Sequence, residues 1–158
     1  MREYKFRGKR LDNGEWVYGY LLVTQMSGVY IIGTKTKSTP HKIGGEIASV
    51  SIRDVVWQYE VDPDTAGQYT GLHDKNGVEM YEGDIYHQGD KNILYVVVWH
   101  DTSFIGKQLK SSSYAGLTYW LDRIEVIGNI YDNPDLLKNK RNIIARPAPA
   151  RQNEAKMR

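Results

Sequence analysis

Residues 69–85 read YTGLHDKNGVEMYEGDI, and the fold turns on what the chain does at their middle. Asn76-Gly77 is a pair that accepts positive φ at both central positions of a type I′ turn, the geometry that joins two antiparallel strands. Leu72 comes before the pair, and Val78, Met80 and Tyr81 come after it. This arrangement predicts a hairpin over residues 72–86. Gly83 then supplies a bend or bulge before Asp84 and Ile85 start the next strand.

Downstream, NILYVVVWH at 92–100 is a near-continuous apolar run, as expected of a central strand covered on both faces. SFI at 103–105 ends a short partner strand, and GKQLKSSSYAG at 106–116 reads as a loop. LTYW at 117–120 and RIEVIGNIY at 123–131 read as the last two strands.

Upstream, YKF at 4–6 alternates, and DNG at 12–14 marks a turn. EWVYGYLLV at 15–23 resumes alternation with Trp16, Tyr18 and Tyr20 on one face. MSG at 26–28 turns the chain, and VYIIG at 29–33 returns as a hairpin partner. TKTKSTPHKIGGE at 34–46 has Thr, Ser, Pro and a Gly pair but no hydrophobic period, and is read as an exposed loop. IASVSI at 47–52 and VVWQYEV at 55–61 follow as strands on either side of Arg53-Asp54.

Regular short strands with turns between them predict an all-β fold, a sandwich or partly closed barrel. DPDTAGQ at 62–68 is the best boundary between two small β sub-units sharing one core, which gives units at 1–61 and 62–133. A short C-terminal helix and a basic, flexible tail complete the chain at 134–158. Asn133 would cap the helix, Pro134 suits its first position, and Asp135 complements its dipole.

The chain has 158 residues, 41% apolar and 25% charged, with twelve Tyr, four Trp and no Cys. Disulfides and thiolate metal sites are therefore excluded. The longest apolar runs, ILYVVVW at 93–99 and YLLV at 20–23, fall far short of the ~20 residues that span a bilayer. The first ten residues lack the apolar block of a secretion signal, so a cytoplasmic protein is expected.

Net charge is +2 but unevenly spread: +4 over residues 1–10, −8 over 11–137 and +6 over 138–158. The basic ends nominate Arg2, Lys5, Arg7, Lys9 and Arg10 with Lys138, Lys140 and Arg141 as nucleic-acid contacts. Alternation along REYKFRGKR predicts instead that Tyr4 and Phe6 are buried while Lys5 and Arg7 face water.

Chemistry is hard to find. His41, His73, His87 and His100 lie near turns and strand ends, and their spacing matches no ligand template. They are read as surface histidines, with no metal and no cofactor. Glu79, Glu82 and Asp84 crowd together, but Asp84 after Gly83 is better used accepting backbone hydrogen bonds at a bend. No nucleophile elbow, phosphate loop or dinucleotide fingerprint is present, and no catalytic residue is nominated.

KFRGKR, GEWVYG, TGLHDKNGVEMYEGDI, the apolar strand ending in Trp99, and IEVIGNIYDNPDLL together resemble the YopX family, small proteins encoded by bacteriophages and prophages. The similarity runs over about residues 2–137. It implies an all-β fold, a bacterial host cytoplasm and no catalytic residues to transfer. Under it, Trp16, Tyr18, Gly19, Gly71, Asp74, Gly77, Gly83 and Asp84 are fold determinants. The resemblance carries no established activity to transfer; the chain is read as a non-catalytic accessory module binding a host or phage protein, as a homo-oligomer through strand edges or the helix. The alternative is a nucleic-acid-binding module using the basic N-terminal strand and tail. No membrane partner is expected.

Overall fold

A computed structural model describes residues 3–26 and 28–138. The first sheet contains β1 (Phe6–Lys9), β2 (Trp16–Thr24), β3 (Gly28–Ile43), β4 (Glu46–Val61), β5 (Gly67–His73) and β6 (Glu79–Tyr81). The second contains β7 (Asp84–His87), β8 (Leu94–His100), β9 (Ser103–Gln108), β10 (Tyr114–Gly116) and β11 (Glu125–Asn129). Both sheets are open, with orders β4-β3-β2-β1-β5-β6 and β10-β9-β8-β7-β11, and the described pairings are antiparallel. The fold is all-β, with two sub-units and no closed barrel.

The chain changes sheets at Glu82-Gly83. Gly83 has φ +89, which a side-chain-bearing residue rarely adopts. Its N–H donates to the Val97 carbonyl, and its own carbonyl accepts from Ile130 N–H, so it already belongs to the second sheet. Residues 62–68 lie inside the first sheet: a 3₁₀ turn, Pro63–Thr65, leads into β5, which pairs with β1.

β8 is the middle strand of its sheet and is covered on both faces. On one side Tyr86 and Val97 pack with Met80, Leu117 and Ile124, with Leu72 of the first sheet against them. On the other, Ile85, Val96 and Leu109 pack with Ile130, Leu136 and Leu137. Each such buried side chain contributes about 1.5–3 kcal/mol. Because Leu72 and Met80 come from β5 and β6, the two sheets share this core.

Several local expectations are overturned. Residues 34–46 are not an open loop: β3 runs to Ile43, a two-residue turn follows, and β4, which starts at Glu46, is one continuous strand where two were expected. The turn with positive φ at both centres is Gly44-Gly45, at +59 and +91. At residues 74–77 only Gly77 is left-handed, at +80. That turn closes by Gly77 N–H to the Asp74 carbonyl, with Asp74 N–H to the Val78 carbonyl, so it is not type I′.

Within 106–116 the chain is partly extended, as the end of β9 and as β10. LTYW forms a 3₁₀ turn, Thr118–Trp120, and not a strand. The C-terminal helix is a single 3₁₀ turn, Pro134–Leu137, and the Asn133 side chain accepts from Asn129 N–H instead of capping it. The tail beyond residue 138, including Lys140 and Arg141, lies outside the described residues, as does Arg2.

The N-terminal strand is inverted relative to expectation. Tyr4 is 58% exposed, whereas Arg7 is 6% exposed. Alternation puts Arg7 inward because it finds a carboxylate there. That carboxylate lies 77 positions away in sequence, beyond the reach of any periodicity.

Candidate interaction surface

Among the described residues, the least covered part is the long hairpin of β3 and β4. Its strands pair from Val29↔Val61 to Ile43↔Glu46, with one register shift between His41 and Lys42, but β2 accompanies β3 only as far as Tyr20↔Ile32. Residues 34–56 are therefore a two-stranded arm, exposed throughout. At about 3.3 Å per residue it reaches some 30 Å from the sheet. Gly33 marks its base, where the Trp57 indole lies against the glycine so closely that a Cβ would sit 2.1 Å from the ring.

Paired residues of a ladder share a face, so the register sorts the arm's side chains. One face carries Lys35 opposite Val55, Lys37 opposite Arg53, Thr39 opposite Ser51 and His41 opposite Ser49. The other carries Thr34 opposite Val56, Thr36 opposite Asp54, Ser38 opposite Ile52 and Pro40 opposite Val50. Val56, Ile52 and Val50 are 67%, 72% and 51% exposed.

The basic residues nominated from sequence behave differently from those of the arm. Lys5 Nζ donates to both Glu79 oxygens at 2.8 Å, and Arg7 pairs with Asp84 at 2.6 Å. Lys9 pairs with Asp132, Arg10 with Asp12, and Lys138 with Asp135. Arg10 also lies over the Tyr59 ring, 3.8 Å from its centroid. By contrast Lys35, Lys37, Lys42 and Arg53 take part in none of the described ion pairs.

The eight motif positions sit at joints. Trp16 is half-buried, stacks on the Arg7 guanidinium and donates its Nε1–H to Asp132 at 2.7 Å. Tyr18 is 44% exposed and meets Tyr81 edge-on. Gly19 lies where a Cβ would strike the Ile32 carbonyl, 2.2 Å away. Gly71, at φ +85, lies where the β5–β6 ladder loses register. Asp74 is buried and accepts from Asn76 N–H and Val78 N–H on one oxygen and from Val126 N–H on the other. It thus ties the 74–77 turn, with Gly77, to β11. Gly83 is the sheet switch, and Asp84 beside it accepts Tyr81 N–H at 2.7 Å.

The histidines are dispersed. His41 contacts Ser51 on the arm, His73 lies edge-on to Tyr69, and His100 stacks on Tyr114. His87 is not at the surface: it is 2% exposed, and its Nδ1 accepts from Gly89 N–H. Among the described residues no three metal-ligating side chains come together. Glu79 and Asp84 are each taken by a cation and by Tyr81 donors, so they do not face one another across a cleft. A cavity of about 270 Å³ beside β8, β9 and the last 3₁₀ turn is lined by Ile93, Leu94, Leu109, Leu136 and Leu137 together with Lys91, Lys110 and Asp135, and its one carboxylate, Asp135, pairs with Lys138. Among the described residues no helix is long and apolar enough to cross a membrane.

The model of the YopX protein family matches residues 5–138. The chain belongs to the YopX family. A solved structure similar to this YopX chain is protein EF1440 from Enterococcus faecalis, at 25% identity and a TM-score of 0.54. That match covers 87% of this chain and 99% of the other. No curated protein matches the sequence. The β4 half of this YopX protein's arm is legible in the sequence as strand, but its β3 half at 34–43 is not, because both its faces are wet and no hydrophobic period marks it. The signal available was Gly44-Gly45 flanked by β-branched residues.

Proposed function

We propose that this YopX-family chain is a phage or prophage accessory protein of the bacterial cytoplasm, a non-catalytic protein-interaction module that binds through its β3–β4 arm. The observation that carries this reading is the uncovered row Val50, Ile52 and Val56 on one face of a free ribbon. A two-stranded ribbon is marginal alone in water, and covering each of those side chains contributes about 1.5–3 kcal/mol.

The occupant that fits is a second copy. β4 is the edge strand of the first sheet; its base is bridged by Arg10 at Val61, with Leu11 N–H donating to the Glu60 carbonyl, but along the arm no described strand pairs its outward edge. Two β4 edges paired antiparallel about a two-fold axis would extend the ribbon and lay the two apolar rows side by side. The N-terminal strand is the weaker candidate for contacting nucleic acid, because Lys5, Arg7, Lys9 and Arg10 are already paired with carboxylates.

Size-exclusion chromatography with light scattering tests this on the wild type, on Ile52→Lys and on a chain with residues 36–54 replaced by Asn-Gly. The wild type should show a concentration-dependent mass above the monomer, and both variants should be monomeric. Equal masses for all three proteins would overturn the arm as the binding element.

A further inference from the structure

We propose that the opposite face of the arm is a contact for the phosphate backbone of nucleic acid. Lys35, Lys37 and Arg53 share that face, with Lys37 directly opposite Arg53. Like charges at directly opposed positions destabilise a ladder, and no described carboxylate neutralises either one. The arm's two acids are elsewhere: Asp54 is on the other face, hydrogen-bonded by Thr36 Oγ1 at 2.8 Å, and Glu46 is at the tip.

The rest of the cationic face is rich in the hydroxyls and ring nitrogens that donate to phosphate oxygens: Thr39, Ser51, Ser49 and His41. Lys35 and Lys37, two positions apart on one face, are separated by about 6.6 Å, a spacing from which their flexible side chains reach different phosphates of one strand. A bare two-stranded ribbon is also one of the two protein elements that the ~12 Å major groove admits. An acidic protein surface would satisfy the charge but not the groove-sized shape or the row of neutral phosphate donors. The contact lies on the face away from Val50, Ile52 and Val56. Entry into the groove takes the arm as a two-stranded ribbon and so competes with pairing of two β4 edges, whereas the salt-dependent phosphate contact is open to either state.

The test is fluorescence anisotropy of the full chain with a labelled 30-base-pair duplex of random sequence, between 50 and 200 mM salt. The variant is Lys35→Thr/Lys37→Thr/Arg53→Thr, which keeps strand-favouring side chains at exposed positions. Far-UV circular dichroism confirms that it folds, and Lys110→Thr, an exposed cation off the arm, is the control. The wild type should bind with a steep salt dependence.

The triple variant should lose about 2–3 from the slope of log K against log salt, at roughly 0.9 per phosphate released. The control should lose no more than about one. Cations beyond residue 138 are present in every protein and cancel in the comparison. Absence of wild-type binding at 50 mM salt, or an unchanged slope in the triple variant, would overturn the contact. Polyglutamate competing as well as duplex at equal charge would overturn it too, by assigning the face to an acidic protein.

Discussion

Arg7 of β1 and Asp84 of β7 meet at 2.6 Å across the seam between the two sheets, with side chains 7% and 3% exposed. The guanidinium lies between Trp16 and Tyr81, 4.6 and 5.0 Å from their ring centroids. Burial pushes the Asp84 carboxyl up, against the pull of Arg7 and of the Tyr81 N–H. The pair joins the first sheet to the strand that begins immediately after the switch at Gly83. Its position makes it a determinant of how the sheets meet, and its burial makes it costly to break.

Removing either partner strands a buried charge, which typically costs about 3–5 kcal/mol. Arg7→Met and Asp84→Leu should each destabilise on that scale in urea unfolding. The double variant should be more stable than the worse single, since an apolar pair replaces the ions. Additive losses would show that the two residues do not act together.

Asp74 supports three backbone donors from two regions of the chain. Asp74→Asn keeps the shape but can leave Val126 N–H facing an amide NH₂. An unsatisfied buried donor costs about 1–3 kcal/mol. Hydrogen exchange should accelerate at Val126, which loses its acceptor, and change less at Asn76 and Val78, which keep the amide oxygen.

At Gly106 a Cβ would sit 1.8 Å from the Tyr86 hydroxyl and 2.8 Å from Cζ. Gly106→Ala should cost about 1–3 kcal/mol as an overpacked core. In a Tyr86→Phe background the penalty should shrink, because the nearest atom is gone, but persist in part because Cζ remains. An equal penalty in both backgrounds would locate the strain elsewhere.

Asp132 gives the molecule an acid-sensitive joint. Partial burial pushes its carboxyl up, but donation from Lys9 Nζ, Asn129 Nδ2 and Trp16 Nε1 overcomes this and brings it to about 2, from an ordinary 3.8. A value depressed in the folded state adds stability above the ordinary value, and that stability is lost as pH falls toward 2. With the carboxylate side chain 39% exposed, screening holds the contribution under about 1 kcal/mol. Thermal melts should show Asp132→Asn less stable at pH 7, with the gap closing below pH 4.

Strand content was legible wherever one face of a segment is dry. The apolar run of β8 announced a strand covered on both sides, and Asp84 after Gly83 announced a bend, because burial and positive φ leave local marks. Other features left none. LTYW has strand-like residues, yet Trp120 N–H donates to the Leu117 carbonyl, and buried Leu117 docks the turn on the core.

From its amino acids alone this protein is committed to antiparallel β-structure, to a reversal near Gly77 and to a glycine-enabled bend at 83. Hydrophobic alternation and left-handed backbone are properties of neighbouring residues, so they can be read in order along the chain. Only tertiary structure decided that Arg7 is inside, that the basic first strand is neutralised, and that residues 34–56 extend as a free arm with a cationic and an apolar face. Those outcomes depend on partners tens of residues away, through charge pairing across a seam and strand register, and neither leaves a local period.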